Sequence, residues 1–360
     1  MKQWTDILKS VVKDGGPSTC QFAITNVCNA ACDFCNFSRD KLERAHSRWV
    51  SLEDGLRSLE ILRSHDVGFM VFTGGEPTVH PNWVELLEAS DRLGMVNLMV
   101  SNGSTLSART IEKFQKANLS GIIISIDSQD LAKHEENRGL KGVCKKIKDH
   151  MPMLKEAGVG ATASVTLNKL LTDFDSLPDT LTDLGFEAVT FSFPLTSLDS
   201  SYLGASESDL VSFTTDELHH WIDRVQALKK RFPVLNPRAS LSDMHAHLDS
   251  AREEFPCLGG WKQFYLDWNL LLWRCNSWNK PMCHIYDFDG SQKIRDGCQA
   301  CMVDCFRDAS VQQYVALSFS DGLNALRKGR VKEAWSHLAD RRNVLSLGSA
   351  LENLFWLKRV

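Results

Sequence analysis

Eleven cysteines in 360 residues are the first chemistry this sequence offers, and they are unevenly placed. Cys28, Cys32 and Cys35 share one short stretch, six more lie between Cys257 and Cys305, and only Cys20 and Cys144 stand alone. The start, MKQWTDILKSVVKDGG, is amphipathic and lacks a signal-peptide core, so a cytoplasmic protein is expected. In that compartment thiols are metal ligands or catalytic groups more often than disulfides. Three thiolates on one loop can hold three corners of a cubane iron–sulfur cluster and leave one iron open to an outside ligand. On spacing alone a zinc site completed by His46 stays open as well. Two separate metal sites are the economical reading of the two groups.

Elements must hold those thiols. Short β-rich runs at 20–25, 67–73, 96–101, 121–126, 160–166 and 188–193 alternate with helical spacing over 51–65, 81–93, 107–118, 141–157 and 174–184. Gly68, Gly94, Gly158 and Gly185 fall near the helix ends, where left-handed caps are wanted. Six strands with five crossovers imply an α/β fold with a parallel sheet, an open sheet or a partial barrel. Ligands gather at the carboxyl ends of such strands, and the first thiol group directly follows the first strand. The Ser-rich stretch 195–213 reads as a linker or lid, a helix is expected over 215–231, and two helices over 310–360. No apolar run is long enough to span a bilayer.

The strand ends carry further motifs. Thr73-Gly74-Gly75-Glu76-Pro77 follows the second strand, Ser101-Asn102-Gly103 the third and Ser125-Ile126-Asp127 the fourth. Together with C-x3-C-x2-C and Phe34 before the third cysteine, this order resembles the radical S-adenosylmethionine superfamily over about residues 18–195. The resemblance implies a partial (β/α)6 TIM-like barrel and a [4Fe–4S] cluster on Cys28, Cys32 and Cys35. It implies S-adenosylmethionine bound through its amino and carboxylate groups to the open iron, then reductive cleavage to a 5′-deoxyadenosyl radical that takes a hydrogen atom from a C–H bond. Gly74 and Gly75, lacking Cβ, would let backbone carbonyls approach the methionine ammonium. Glu76 would add a carboxylate there, with Pro77 starting the next turn. Ser101, Asn102, Ser125 and Asp127 offer groups suited to ribose hydroxyls, and Arg138 a partner for the methionine carboxylate. Singly, the same residues read as a tight turn, a helix start and a helix cap.

The second group, Cys257, Cys275, Cys283 and Cys298-x2-Cys301-x3-Cys305, flanks a hairpin-like run turning at Asp267-Trp268-Asn269. It resembles the SPASM and twitch extensions of the same superfamily, with Leu270 where a turn glycine is usual. The resemblance implies one auxiliary [4Fe–4S] cluster on Cys257, Cys275, Cys298 and Cys301, with Cys305 able to replace one of the last two and Cys283 a bystander. A zinc ribbon is the alternative for a C-x2-C pair. Trp261, Phe264, Tyr265, Trp268 and Trp273 would shield the cluster from water. The implied layout is an N-terminal helix over 1–17, the barrel over 18–235, the cluster extension over 236–310 and a helical tail over 311–360.

A composition of 43% hydrophobic and 24% charged residues is that of a folded protein, and the net charge of −4 sets nucleic-acid binding aside. A small metabolite or a peptide is the expected substrate, with a mild tilt to the metabolite because few residues precede the first strand. A flavodoxin or ferredoxin is the implied one-electron donor. The alternative of another class is a non-catalytic iron–sulfur redox carrier, against which the Gly-Gly-Glu-Pro match argues.

Overall fold

The computed structural model describes residues 10–194 and 208–357. The expected helix over 1–17 and linker over 195–213 therefore lie partly outside the described residues. Six parallel strands form the body: β1 (Ser18–Ala23), β2 (Val67–Thr73), β3 (Val96–Ser101), β4 (Gly121–Ser125), β5 (Gly160–Thr166) and β6 (Val189–Ser192). Their order in the sheet is β6-β5-β4-β3-β2-β1, as right-handed crossovers dictate. The crossovers carry α1 (Leu52–Ser64), α2 (Trp83–Arg92), α3 (Ala108–Lys116), α4 (Leu131–Arg138), α5 (Val143–Glu156) and α6 (Leu177–Asp183).

The sheet does not stop at six strands. β7 (Gln263–Leu266) lies parallel to β1, with Thr19 opposite Gln263 and Phe22 opposite Leu266. The antiparallel β8 (Leu271–Trp273) and β9 (Cys283–His284) then complete a nine-stranded sheet. Pairing with β7 removes a free edge from β1, whose Cys20 and Phe22 are fully buried.

Strand residues alternate. Met70, Phe72, Met99, Ile122 and Ile124 are wholly buried in the core with Leu59, Leu62 and Leu154 of the outer helices. Gln21, Val71, Val100, Ser125, Ser164 and Ser192 are only half-buried, which leaves the other, concave face partly open. After β6 come α7 (Thr215–Leu228) and α8 (Arg238–Leu248), and after β9 come α9 (Asp304–Arg327), α10 (Val331–Leu338) and α11 (Arg342–Leu357).

Four expectations change. The tail holds three helices, because α9 begins well before residue 310 and runs through the boundary drawn there. α4 and α8 are additional, both short and weakly amphipathic. Gly94, Gly158 and Gly185 take the left-handed conformation after their helices, but Gly68 lies inside β2 and Asp66, at φ 67°, makes that reversal. Among the described residues no helix is long and apolar enough to cross a membrane.

Candidate active site

The loop after β1 carries Cys28, Cys32 and Cys35 to the carboxyl rim of the sheet, and the end of β2 supports it from behind. The Gly75 amide donates to the Thr25 carbonyl at 2.8 Å and the Glu76 amide to the Val27 carbonyl at 2.9 Å. A Cβ on Gly75 would stand 2.1 Å from the Val27 carbonyl oxygen and 2.9 Å from the Cys28 nitrogen. One on Gly74, whose φ is +131°, would stand 2.1 Å from the Thr25 oxygen. The glycine pair is thus demanded by the thiol loop packed on it, a different reason from the ligand approach expected of it.

Glu76 is buried with both oxygens occupied. Oε1 accepts from the Thr78 amide at 3.2 Å, the Thr78 hydroxyl at 2.5 Å and the Ser101 hydroxyl at 2.9 Å, while Oε2 accepts from the Asn102 amide at 2.7 Å. Burial raises its pKa and these four donors pull it back. The carboxylate therefore fastens the ends of β2 and β3 together. Pro77 opens the 3₁₀ turn Pro77–Val79. The Asn102 side chain donates to Asn29 Oδ1 at 2.8 Å and stands 3.9 Å from Cys28 Sγ.

Asp127 and Arg138 form one buried unit. The guanidinium grips both carboxylate oxygens, Nε to Oδ2 at 2.8 Å and Nη2 to Oδ1 at 2.5 Å, and Asn137 adds a third bond at 2.8 Å. The Asp127 amide donates to His134 Nδ1 at 3.0 Å. Burial works against the Asp127 carboxylate, yet Arg138 and His134 hold its pKa below the ordinary value. In this arrangement the two side chains pair with each other. The same helix end docks the thiol loop, since the Ala31 amide donates to the Arg138 carbonyl at 2.8 Å. Ser125 is half-buried on the concave face.

The three thiols are near enough to feel one another's charge. Burial pushes Cys28 up to about 12 and Cys32 up to about 11, with Arg138 pulling Cys32 the other way; burial raises Cys35 too. Such thiols become thiolates when a bound metal repays the desolvation. His46 is exposed and faces Glu43 at 3.9 Å, so it does not complete a zinc site with them. Among the described residues no three such groups close on a single ion point. A zinc ion would need its sulfurs about 2.3 Å from one point, whereas a cubane spreads its ligands over separate irons. The donor set fits a three-thiolate cluster. Phe34 is buried against Val211, and the Ser208 hydroxyl donates to Asp33, so residues 208–211 close over the loop.

A second group assembles beside β7 and β8. Cys257, Cys275, Cys298 and Cys301 act on one another electrostatically, and the Cys257 amide donates to the Cys298 carbonyl at 3.2 Å. Burial pushes Cys275 up to about 11 and Cys301 up to about 12. Backbone amides two residues onward point at the sulfurs of Cys28 and Cys257, both at 3.4 Å. Cys35, Cys275 and Cys301 receive the same bond from Phe37, Ser277 and Val303. That repeated bond is one of the means by which a protein sets a cluster's potential. Four clustered thiols, Cys275 buried and Cys257, Cys298 and Cys301 half-buried, fit a closed [4Fe–4S] site. Cys283 faces Asp287 and Asp289 instead. Cys305, on the first turn of α9, meets Gln21 of β1.

The hairpin links the two groups. Phe264, Tyr265 and Trp273 are buried, and Trp268 at its tip meets Phe37, two residues past Cys35, edge to face at 5.1 Å. Sequence reasoning missed Asn29, Asn137, Arg274 and Arg307. Arg274 is held by Asp296 through two bonds of 2.8 Å, and its charge reaches Cys257 and Cys298. The charge of Arg307 reaches Cys257 as well; neither arginine lies in a motif, and only the fold brings them to the sulfurs.

Residues 22–184 match the model of the Radical SAM superfamily, and the chain carries a radical SAM domain over that span. That superfamily uses a [4Fe–4S] cluster and S-adenosylmethionine. The sporulation killing factor maturation protein SkfB of Bacillus subtilis (strain 168) is 28% identical over 153 residues, 42% of this chain and 36% of that protein. The PqqA peptide cyclase of Granulibacter bethesdensis is 21% identical over 257 residues, 68% of this chain and 63% of that protein. The chain spans less than two thirds of the length of these relatives. Streptococcus suis SuiB bound to precursor peptide SuiA shares the fold, with a TM-score of 0.57, 16% identity and coverage of 85% of this chain and 73% of that one.

Proposed function

We propose that this chain is a radical S-adenosylmethionine enzyme that activates a C–H bond of a peptide substrate. The observation that carries the reading is the convergence of Cys28, Cys32 and Cys35 on a rim loop seated on Gly74-Gly75. When bound, a [4Fe–4S] cluster and S-adenosylmethionine supply a 5′-deoxyadenosyl radical able to abstract hydrogen. The chain's own residues do the positioning. Gly75 and Glu76 pin the loop by backbone hydrogen bonds, and Glu76 locks the rim ends of β2 and β3. Arg138 brings positive charge toward Cys32 and Cys35, with its partner Asp127 opposing it at Cys32. Ser125 and Asn102 present hydrogen-bonding groups at the carboxyl ends of the strands. Cys257, Cys275, Cys298 and Cys301 would hold an auxiliary [4Fe–4S] cluster for electron transfer.

The peptide is favoured over a small metabolite because the PqqA peptide cyclase and the SuiB complex with precursor peptide SuiA are named for peptides, and SkfB for the maturation of a killing factor. A cytoplasmic setting and a flavodoxin or ferredoxin donor complete the proposal. The test is anaerobic reconstitution followed by assay for 5′-deoxyadenosine with a synthetic peptide library. About eight irons per chain, from two [4Fe–4S] clusters, and peptide-stimulated 5′-deoxyadenosine are expected. An iron-loaded protein that never cleaves S-adenosylmethionine would mark a redox carrier.

A further inference from the structure

Two histidines meet where α7 packs on α8. His219 of α7 and His245 of α8 face each other through Nδ1 at 2.6 Å. Their ring planes are only 10° from parallel, with centroids 4.9 Å apart. Rings stacked face to face lie about 3.5 Å apart, so these imidazoles meet edge to edge with the two nitrogens aimed at each other. The outer nitrogens are engaged elsewhere: His219 Nε2 stands 3.1 Å from Asp249 and His245 Nε2 3.2 Å from Asp223. Each helix thus carries the same pair at the same spacing, His219-x3-Asp223 and His245-x3-Asp249, which puts both members on one face. Each aspartate serves the histidine of the other helix. A carboxylate only accepts, so each Nε2 must carry its ring's proton, and each Nδ1 is left as a lone pair. Two lone pairs aimed at each other over this distance repel unless they share a cation.

We propose that His219 and His245 bind one divalent transition-metal ion, zinc, through their Nδ1 atoms, with Asp223 and Asp249 as the outer partners that fix the two tautomers. Metal-bound histidines usually donate their second N–H to a carboxylate in this way, and imidazole is a ligand suited to zinc. Charge favours a divalent ion over a proton: the two aspartates carry two negative charges, which the ion balances and a single shared proton does not. Zinc–nitrogen bonds of about 2.0–2.1 Å in tetrahedral geometry would part the two nitrogens to about 3.3 Å. That is a small movement for side chains 24% and 25% exposed. Among the described residues no third His, Cys, Asp or Glu closes on the same point, so water from the exposed side completes the shell. The ion would staple α7 to α8. In turn, α8 holds the approach to the second thiol group, because its Asp243 accepts from the amides of Glu254 at 2.8 Å and Phe255 at 2.9 Å, just before Cys257.

Equilibrium dialysis of the anaerobically reconstituted protein against zinc, followed by metal analysis and zinc X-ray absorption, tests this. One zinc per chain is expected in addition to the iron, with nitrogen and oxygen neighbours at about 2.0 Å and no sulfur at about 2.3 Å. His219→Ala and His245→Ala should each lose that zinc and keep wild-type iron content and circular dichroism. Asp223→Asn and Asp249→Asn alter exposed side chains outside the ligand pair and should weaken zinc binding about 10–100-fold. If an alanine variant loses secondary structure, the two asparagine variants decide. Wild-type protein that takes up no zinc overturns the proposal and leaves the histidines sharing a proton. Zinc held by sulfur overturns it too, as does zinc that all four variants keep at wild-type affinity.

Discussion

At the scale of single residues, Gly75 is the most sharply constrained position. Even the one carbon of Gly75→Ala would meet the Val27 carbonyl at 2.1 Å and press on Cys28. The expected outcome is loss of most of the iron from the first cluster together with S-adenosylmethionine binding, read by iron analysis and anaerobic titration. Retained iron with weakened ligand binding would instead place the clash at the ligand. The Arg138–Asp127 unit makes a second prediction. Arg138→Gln leaves a buried carboxylate without its cation, and breaking such pairs costs about 3–5 kcal/mol; the melting temperature of the apoprotein reports it. His134 makes a third. Burial pushes its pKa down to about 4, against about 6.5 in the unfolded chain. Between those values the unfolded state binds the extra proton, so stability falls as pH drops from about 6.5 to about 4. His134→Gln should flatten that part of a chemical denaturation series.

At the scale of elements, the β7–β8 hairpin is organised by Asp267. Its Oδ1 accepts from the amides of Asn269 at 2.8 Å and Leu271 at 3.0 Å, and Oδ2 accepts from the Trp273 indole at 2.8 Å. That network lets Leu270 stand at φ 63°, where a glycine would otherwise be wanted. Asp267→Ala releases three donors at once and should cost roughly 2–4 kcal/mol, with iron lost from the second group, two residues past Trp273, before the first. The strands and outer helices were legible because both-face burial writes continuous apolar runs and α/β alternation. The thiol groups were legible because ligand chemistry restricts residue type and spacing. What was not legible depends on distant contact: α8 and α4 lack a strong stripe, the β7–β1 pairing joins segments far apart in sequence, and Arg274 and Asn137 carry no motif. The pairing of Asp127 with Arg138, eleven residues on, was not legible either, because only the fold brings the two side chains together.

At the scale of the whole molecule, β1 is shared. It pairs with β2 on one side and β7 on the other, and α9 touches both the barrel and the hairpin. Asp308 on α9 is half-buried with Ser240 and Asn236 donating to its oxygens; desolvation, with Asp304 adding to it, pushes its pKa up to about 8. A carboxyl that holds its proton more tightly when folded weakens the fold as pH rises from about 4 to about 8. Asp308→Asn should therefore be the more stable protein at pH 8 and lose that advantage near pH 4, as measured by urea midpoints.

The parallel pairing of Thr19 with Gln263 also sets a timetable. A ribosome adding roughly 5–20 residues per second needs on the order of 10–50 s to travel from one strand to the other. For that interval the nascent β1 has an open edge and a loop of uncapped thiols beside it. Contacts so distant in sequence close slowly, so that edge of β1 is expected to stay open to mispairing longer than an edge whose partner follows early.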